Sequence, residues 1–427
     1  MNGHFAMVST WAIMAGMLVA ALPAQDMEGA EGEAPPQERV QRDGDLWSPQ
    51  ASAGGMSDWD LYAGGIYANT SPVWVSADFL MWWMRGNSLP SMVTTSPVGT
   101  DRADAGVLGV AGTSGLHGDE DVDARHRFGF RTSVGARLGH WFDELMQSDV
   151  EASLLWLGDG QRSGDFFARS EGTPILARPF YNTQTGLPDS QLIAFPGVAV
   201  GQIGIATSSD LLSTGLVYRA PLWPGQWGRI HWLAGYRYLQ LQEELLISEQ
   251  LTNTDPGAGV AVGTVFDIFE RYATWNEFHG ADLGLQMWTD VWGCTVEMLA
   301  KLAVGSVSRT VEIDGETLVD EPGSPLSISP GGLYALPSNL GRYRTTRAAV
   351  LPEFGIRLRR RISHSFILSA GYTVIVLDDV VRTGDQLDLT VNPAQLGGGS
   401  LVGEPRPAVL MKGSLLWVHG LHVGLEW

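Results

Sequence analysis

Between Val73 and Met84 the chain alternates. Val73, Val75, Ala77, Phe79, Met81 and Trp83 form one apolar file, and Trp74, Ser76, Asp78, Leu80, Trp82 and Met84 form a mixed one. Side chains on a strand point to opposite faces in turn, so the stretch predicts a strand with one greasy face and one partly polar face. Val73–Arg85 has about the length of a transmembrane β-strand, with aromatics near both ends, although the edge of a soluble sandwich would alternate in the same way. The last stretch, Leu415–Trp427, repeats the pattern: Leu421, Val423, Leu425 and Trp427 point one way, and Gly420, His422, Gly424 and Glu426 the other. A barrel has reason to end on such a strand, because its last strand pairs with its first and removes the open edge. The two stretches are therefore expected to form one closing seam.

Between them the alternation recurs. Phe128, Phe130, Thr132, Val134, Ala136 and Leu138 oppose Arg127, Arg131, Ser133, Gly135 and Arg137, and Val150, Ala152, Leu154 and Trp156 oppose Asp149, Glu151, Ser153 and Leu155. Further strands are expected over Leu212–Ala220, Trp232–Gln242, Ala281–Met287, Trp292–Leu302, Val350–Arg359 and Phe366–Val376. Pro352 removes a ladder donor within its strand, and a bulge is expected there. Short links near Asp143–Leu145, Pro221–Gly228, Asp290–Val291 and Arg360–His364 alternate with long ones over Gly86–Arg125, Leu157–Asp210, Glu243–Glu277, Gly305–Thr346 and Asp378–Met411. Sorting of loops by parity is a barrel property that a soluble sandwich lacks. The fold class read from this is all-β: a transmembrane antiparallel up-and-down β-barrel of about 10–12 strands, with short periplasmic turns and long extracellular loops.

Composition adds an address. Phe5–Leu22 is apolar and is followed by Pro23-Ala24-Gln25, which reads as a secretory signal peptide cleaved after Ala24, although His4 is the only basic candidate before it. No later apolar run is long enough for a second membrane helix. Residues 25–70 are acidic and rich in Pro and Gly, expected to be a disordered tail, so the domains are 1–24 signal, 25–70 tail and 71–427 barrel. The 53 Gly relieve crowding at inward positions and the 16 Trp suit membrane interfaces. Cys294 is the only cysteine, so no intrachain disulfide forms. A net charge of −20 argues against nucleic acid as a partner.

Ala77-Asp78-Phe79-Leu80-Met81-Trp82-Trp83, running on to Leu89-Pro90 and Val93-Thr94-Thr95-Ser96-Pro97, resembles the opening of the putative β-barrel porin-7 family of bacterial outer-membrane proteins. Gly235-Tyr236-Arg237-Tyr238-Leu239, Gly371-Tyr372-Thr373 and Val381-Arg382-Thr383-Gly384-Asp385-Gln386 resemble it too, and Thr383 stands where the family often has proline. The resemblance covers roughly Val73 to Trp427. It implies an outer-membrane barrel and brings no catalytic residues.

The inward charges are the candidate functional residues: Asp78, Arg127, Arg131, Arg137, Glu151, Asp282, Glu297, Lys301, Glu353, Arg357 and Arg359. In an open barrel they would line a polar channel and set its ion selectivity; in a closed one they would pair and fill the lumen. His419 and His422 stand three apart on a strand, face opposite sides and cannot chelate one ion, which makes interface histidines the expected reading. Asp119-Glu120-Asp121 with Asp123 lacks the glycine and terminal glutamate of an EF-hand and is expected to be a solvated loop. The run Gly106–Gly112 has no P-loop lysine, and no G-x-S-x-G or H-E-x-x-H occurs. No enzyme activity, metal or cofactor is expected. The function read from this is passive passage of ions or small solutes through an outer-membrane barrel; the alternative is a non-conducting structural or surface-recognition barrel acting through its long loops, and the third reading is an exported soluble sugar-binding or hydrolytic protein. Partners expected are outer-membrane lipid, the barrel-assembly machinery and small solutes or ions; no oligomeric state is read from the sequence.

Overall fold

The structure, a computed structural model, describes residues 72–142, 148–158, 165–225 and 228–427. The expected signal peptide, the acidic stretch and the Asp143–Leu145 turn lie outside the described residues. Ten strands carry the fold: β1 (Val73–Met84), β2 (His126–Arg137), β3 (Asp149–Leu157), β4 (Ala199–Gly225), β5 (Gly228–Asn253), β6 (Val265–Val291), β7 (Cys294–Asp320), β8 (Gly341–Arg361), β9 (Ile367–Val381) and β10 (Gly413–Glu426). Each pairs antiparallel with the next, and β10 pairs with β1 from Ser76↔Glu426 to Met84↔Val418, so the sheet is a closed ring. The fold is an all-β transmembrane up-and-down barrel. Two short segments, Phe166–Ser170 against β4 and Ser327–Pro330 against β7, add to the sheet without closing it.

The outward files are apolar and open to the surroundings: Phe79 is 58% exposed, Leu283 57% and Phe354 58%. A bare apolar band around a closed ring is a lipid-facing surface. Aromatics bound it above and below. At the long-loop rim Trp83 and Trp417 stack with His419, whose Nδ1 meets the Tyr372 hydroxyl at 2.5 Å, and Tyr236 and Tyr238 gather around His279. At the short-turn rim Trp141, Trp223, Trp292 and Trp427 are exposed. Trp417 and Trp427 are ten residues apart, or about 33 Å of strand. Tilted by about 40°, that becomes about 25 Å, the height of an apolar band. The turn between β6 and β7 is only Trp292-Gly293, with φ of 52° and 74°. Both positive angles match the twist of a two-residue hairpin, at some strain for Trp292.

The long loops are shorter than expected, because the ladders outrun the membrane. β4, β6 and β7 each have 27 residues and β5 has 26, where about 9–11 suffice to cross a bilayer. Glu243–Glu277 and Gly305–Thr346, expected as loops, are mostly strand, and only 254–264 and 321–340 lie between the barrel strands. The even-numbered file of β7 explains the misreading. It runs Met298, Ala300, Leu302, Val304 and then Ser306, Ser308, Thr310, Glu312, Asp314, Glu316. The outward apolar signal ends at the lipid boundary while the hydrogen-bonded ladder continues. The expected bulge at Pro352 is also absent. The β7–β8 ladder runs through Leu302↔Pro352 without a register shift, and the proline stands where pairing of β8 with β9 stops, beyond Glu353↔Ile375. A residue with no N–H to give is cheapest where no partner strand accepts it.

Candidate functional site: the barrel interior

Three layers fill the ring. Nearest the short turns lies an ion-pair network. Asp78 accepts from Arg131 Nε and Arg357 Nη2, each at 2.8 Å. Arg219 bridges Asp149 and Glu151 at 2.5 and 2.8 Å and donates to Gln286 at 3.3 Å. Arg237 and Lys301 share Asp282 and Glu353, and Arg359 pairs with Glu297 and Glu426. Arg137 and Arg219 approach the face of Trp74 at 6.0 and 5.7 Å. Carboxylates and cations nearly balance here, and every pairing crosses from strand to strand. Each charge spends its field on a neighbour rather than on a passing ion.

Above this layer the inward files turn apolar on every strand of the ring except β2. Leu80, Trp82 and Met84 of β1, Leu157 of β3, Leu211 of β4, Leu239 and Leu241 of β5, Phe278 of β6, Val307 of β7, Leu351 of β8, Leu377 of β9 and Leu416 and Val418 of β10 form one cluster, all at 0–1% exposure. A ring of this strand number is only slightly wider than one that side chains fill, so Trp, Phe and Met suffice to meet near the axis. At such exposure no water-sized space runs past these side chains. Arg127 stands at the same level, 1% exposed, and its Nη1 donates to the Ser209 carbonyl at 2.7 Å.

The third layer is built by chain that folds in from the long-loop rim, beyond the membrane-spanning segments. Arg382 pairs with Glu243 and donates to the carbonyls of Arg85 and Gly86 at 2.8 and 3.0 Å. Gly384 packs where a Cβ would lie 2.2 Å from the Ser88 carbonyl, so only glycine fits. Higher still, Arg178 pairs with Glu249 at 3.2 Å and with Glu270, and lies 4.4 Å from the Tyr334 ring centre. Glu270 Oε1 accepts the backbone N–H groups of Leu333, Tyr334 and Ala335 at 2.8, 2.5 and 2.8 Å. Burial lifts the Glu249 carboxyl above the usual range although Arg178 pulls the other way. Burial likewise pushes the Tyr334 hydroxyl up. Folded-in backbone is affordable in this interior because such groups satisfy it.

All eleven charges singled out from the sequence lie on the inward face, but they do not form one file. Asp78, Arg131, Glu151, Asp282, Glu297, Lys301, Glu353, Arg357 and Arg359 join the ion-pair network, Arg137 stands at its margin, and Arg127 is sealed into the apolar belt. Leu421, Val423, Leu425 and Trp427 face outward at 40–53% exposure on the strand that closes the ring. His419 sits in the outer aromatic girdle, whereas His422 is 3% exposed inside, its Nε2 3.3 Å from Arg357 Nε, so the interface reading fits only the first. Asp119, Glu120 and Asp121 are exposed, with Glu120–Val122 pairing against Asn87–Leu89, while Asp123 is buried. Arg219, Arg237, Gln286 and Glu426 join the network without having been among the eleven, and neither the closing of the inward apolar residues into a belt nor the Arg382–Glu243 pair was foreseen from the sequence. Arg219 and Arg237 could have been found, since each shares parity with the inward glycine of its own strand, Gly215 and Gly235. The belt could not, because inward leucines look the same as core leucines of any strand.

Comparison with known proteins bears on this architecture. No curated protein matches the chain. Among solved structures, the outer membrane protease OmpT from Escherichia coli aligns over 84% of this chain and 97% of its own, with 8% identity and a TM-score of 0.33. The toluene transporter TbuX from Ralstonia pickettii aligns over 83% and 88%, with 10% identity and a TM-score of 0.16. The toluene transporter TodX from P. putida aligns over 83% and 89%, with 10% identity and a TM-score of 0.14. Likeness at this level carries no argument about activity. The family described as Putative beta barrel porin-7 matches residues 74–427, the ring from its second residue onward. The chain belongs to that family, a membership that points to the bacterial outer membrane.

Proposed function

We propose that the protein is an outer-membrane barrel whose lumen is shut at rest, and that its work is done by the body that the long strands raise above the membrane. The observation that carries this reading is the inward apolar belt, closed around all but one strand of the ring at 0–1% exposure. The balanced ion pairs below it support the same reading, since a selective pore would leave one sign of charge unpaired. On this reading the protein is exported by its N-terminal segment, inserted by the barrel-assembly machinery and held by lipid around its apolar band. It carries out no catalytic step.

Passive passage of ions or small solutes is the second reading. It is favoured by the family description and by the abundance of inward charge. It requires the upper two layers to move. The test is single-channel recording of the folded, detergent-purified protein in a planar bilayer. The resting-shut reading expects insertion without current. Discrete conductance steps that vanish when the sample is heat-unfolded would overturn it in favour of a constitutive pore, and their cation-to-anion ratio would then report which lumenal charges govern.

A further inference from the structure

Strands β8 and β9 part company. Their ladder runs from Arg361↔Ile367 to Glu353↔Ile375 and stops, although β8 continues to Gly341 and β9 to Val381. Along Gly341–Pro352 the β9 side of β8 therefore has no strand partner among the described residues. Its side chains Arg342, Arg344 and Arg347 are 64–66% exposed. β9 turns inward at a bulge, where its register against β10 shifts between Leu377 and Val380 and Asp379 takes a φ of 60°. A bulge of this kind re-aims a strand.

Side chains of other strands hold the re-aimed segment inside. The Asn276 carboxamide takes the place of a strand neighbour, accepting from Val381 N at 2.7 Å and donating to Val381 O at 2.8 Å. Arg309 grips Asp379 at 2.5 Å and reaches Thr345 Oγ1 on the free edge at 3.2 Å, so it spans the gap. Glu243 holds Arg382, and Asn87 Nδ2 donates to Thr383 Oγ1 at 2.5 Å. Asp379 also faces Arg347 across the gap at 3.9 Å.

We propose that Leu377–Gln386 is a movable gate, clamped in the lumen by Glu243, Asn276 and Arg309 and built to zip onto the free edge of β8 when the clamp lets go. This rests on the resting-shut reading above. The register is fixed by the ladder that already exists. Continuing it sets Leu377 against Leu351, Asp379 against Ala349, Val381 against Arg347 and Thr383 against Thr345. The zipped form satisfies the bare edge of β8, keeps Asp379 beside Arg347, leaves Leu377 facing inward beside Leu351 and withdraws Val380, which packs in the same apolar cluster, to the outward side opposite Ala348. The exposed arginines and Pro352 meanwhile guard the free edge against foreign strands.

Cross-linking tests it. Cysteines replace Thr345 and Thr383, with Cys294→Ser, in the full chain and in the same chain carrying Glu243→Gln and Asn276→Ala. Both proteins are folded in detergent, checked by heat-modifiable migration and oxidised. Disulfide formation at least tenfold faster in the unclamped chain is expected, and Ala348→Pro, which has the parity of Pro352, should abolish that gain. Equal rates in two folded proteins would overturn the gate, and a gain that survives Ala348→Pro would overturn the zipped register. Should the double variant fail to assemble, Asn276→Asp alone removes one of the two bonds to Val381 and should give a several-fold gain; equal rates there again overturn the gate. Failure here leaves the resting-shut reading standing, whereas current through the unmodified protein would overturn that reading without reference to the cysteines.

Discussion

The part of the ring that crosses the lipid and the wall above it are made from the same strands with opposite chemistry. On β5 the outward file runs Trp232, Ala234, Tyr236, Tyr238 and then Gln240, Gln242, Glu244, while the inward file goes from Arg237 to Leu239, Leu241, Leu245 and Ile247. No slip accompanies the change, since the ladder with β6 keeps one register from Arg229↔Trp288 to Thr252↔Val265. Below the boundary lipid takes the apolar side and ion pairs take the inside. Above it water takes the outside and leucines, with folded-in chain, take the inside. Alternation thus reports that a strand persists, whereas which file is apolar reports the medium around it.

The sharpest break of that contrast is predicted inside the upper wall. Arg178→Ala leaves Glu249 and Glu270 buried without their cation, and the loss should be about 3–5 kcal/mol. Denaturant unfolding followed by Trp fluorescence should show an early transition in the variant while heat-modifiable migration of the membrane ring persists. Unfolding of ring and wall together would mean that the two regions are one cooperative unit. Val134→Arg, on the lipid side, should cost about 2–4 kcal/mol, the penalty for arginine near the bilayer midplane. It should lower the yield of folded barrel; normal yield would remove Val134 from the lipid face.

A smaller effect separates the regions by pH. Burial raises the folded pKa of Glu249 above its unfolded value, so the folded chain holds this proton more tightly than the unfolded chain does. The stability this gives is fully present below the unfolded pKa and is lost as pH rises through the folded one. Amide exchange in the upper wall should therefore quicken as pH rises through that window, after correction for intrinsic exchange, and Glu249→Gln should flatten the trend. An unchanged slope would show that Glu249 is not protonated there. Least of all should Arg344→Ala matter: it is 64% exposed and 3.7 Å from Glu277, so a change within about 0.5 kcal/mol is expected for a screened surface pair. A larger loss would mean that the bond from Arg344 Nε to Ser308 Oγ at 2.7 Å, on the β7 side, holds the wall more firmly than a surface contact does.

The ring was legible because lipid imposes a one-sided rule that sequence records directly. Phe79, Val134, Phe354 and Val423 sit where their parity put them. The inward charges were legible for the same reason, as the polar partners of those files. Their pairing was not, because Arg219 meets Glu151 and Arg237 meets Glu353 across strands whose stagger no single strand encodes. The upper wall was hidden by its inversion. A strand with Gln242, Glu244 and Ser248 outward resembles a solvated loop, and nothing local in Arg178 or Arg382 says that each will be buried against glutamates 71 and 139 residues away. The residues carrying the family resemblance fall largely on these interior elements, with Arg237 in the ion-pair network and Arg382 and Gly384 in the folded-in chain.

The central claim is that the apolar belt is dry and sealed. Leu239→Cys in a Cys294→Ser background places one thiol in that belt, and labelling by a small water-soluble thiosulfonate from either side reads its access to water. The account predicts no reaction in the folded barrel and full reaction after heat-unfolding. Rapid labelling of the folded protein would contradict it and return the lumen to the solvent.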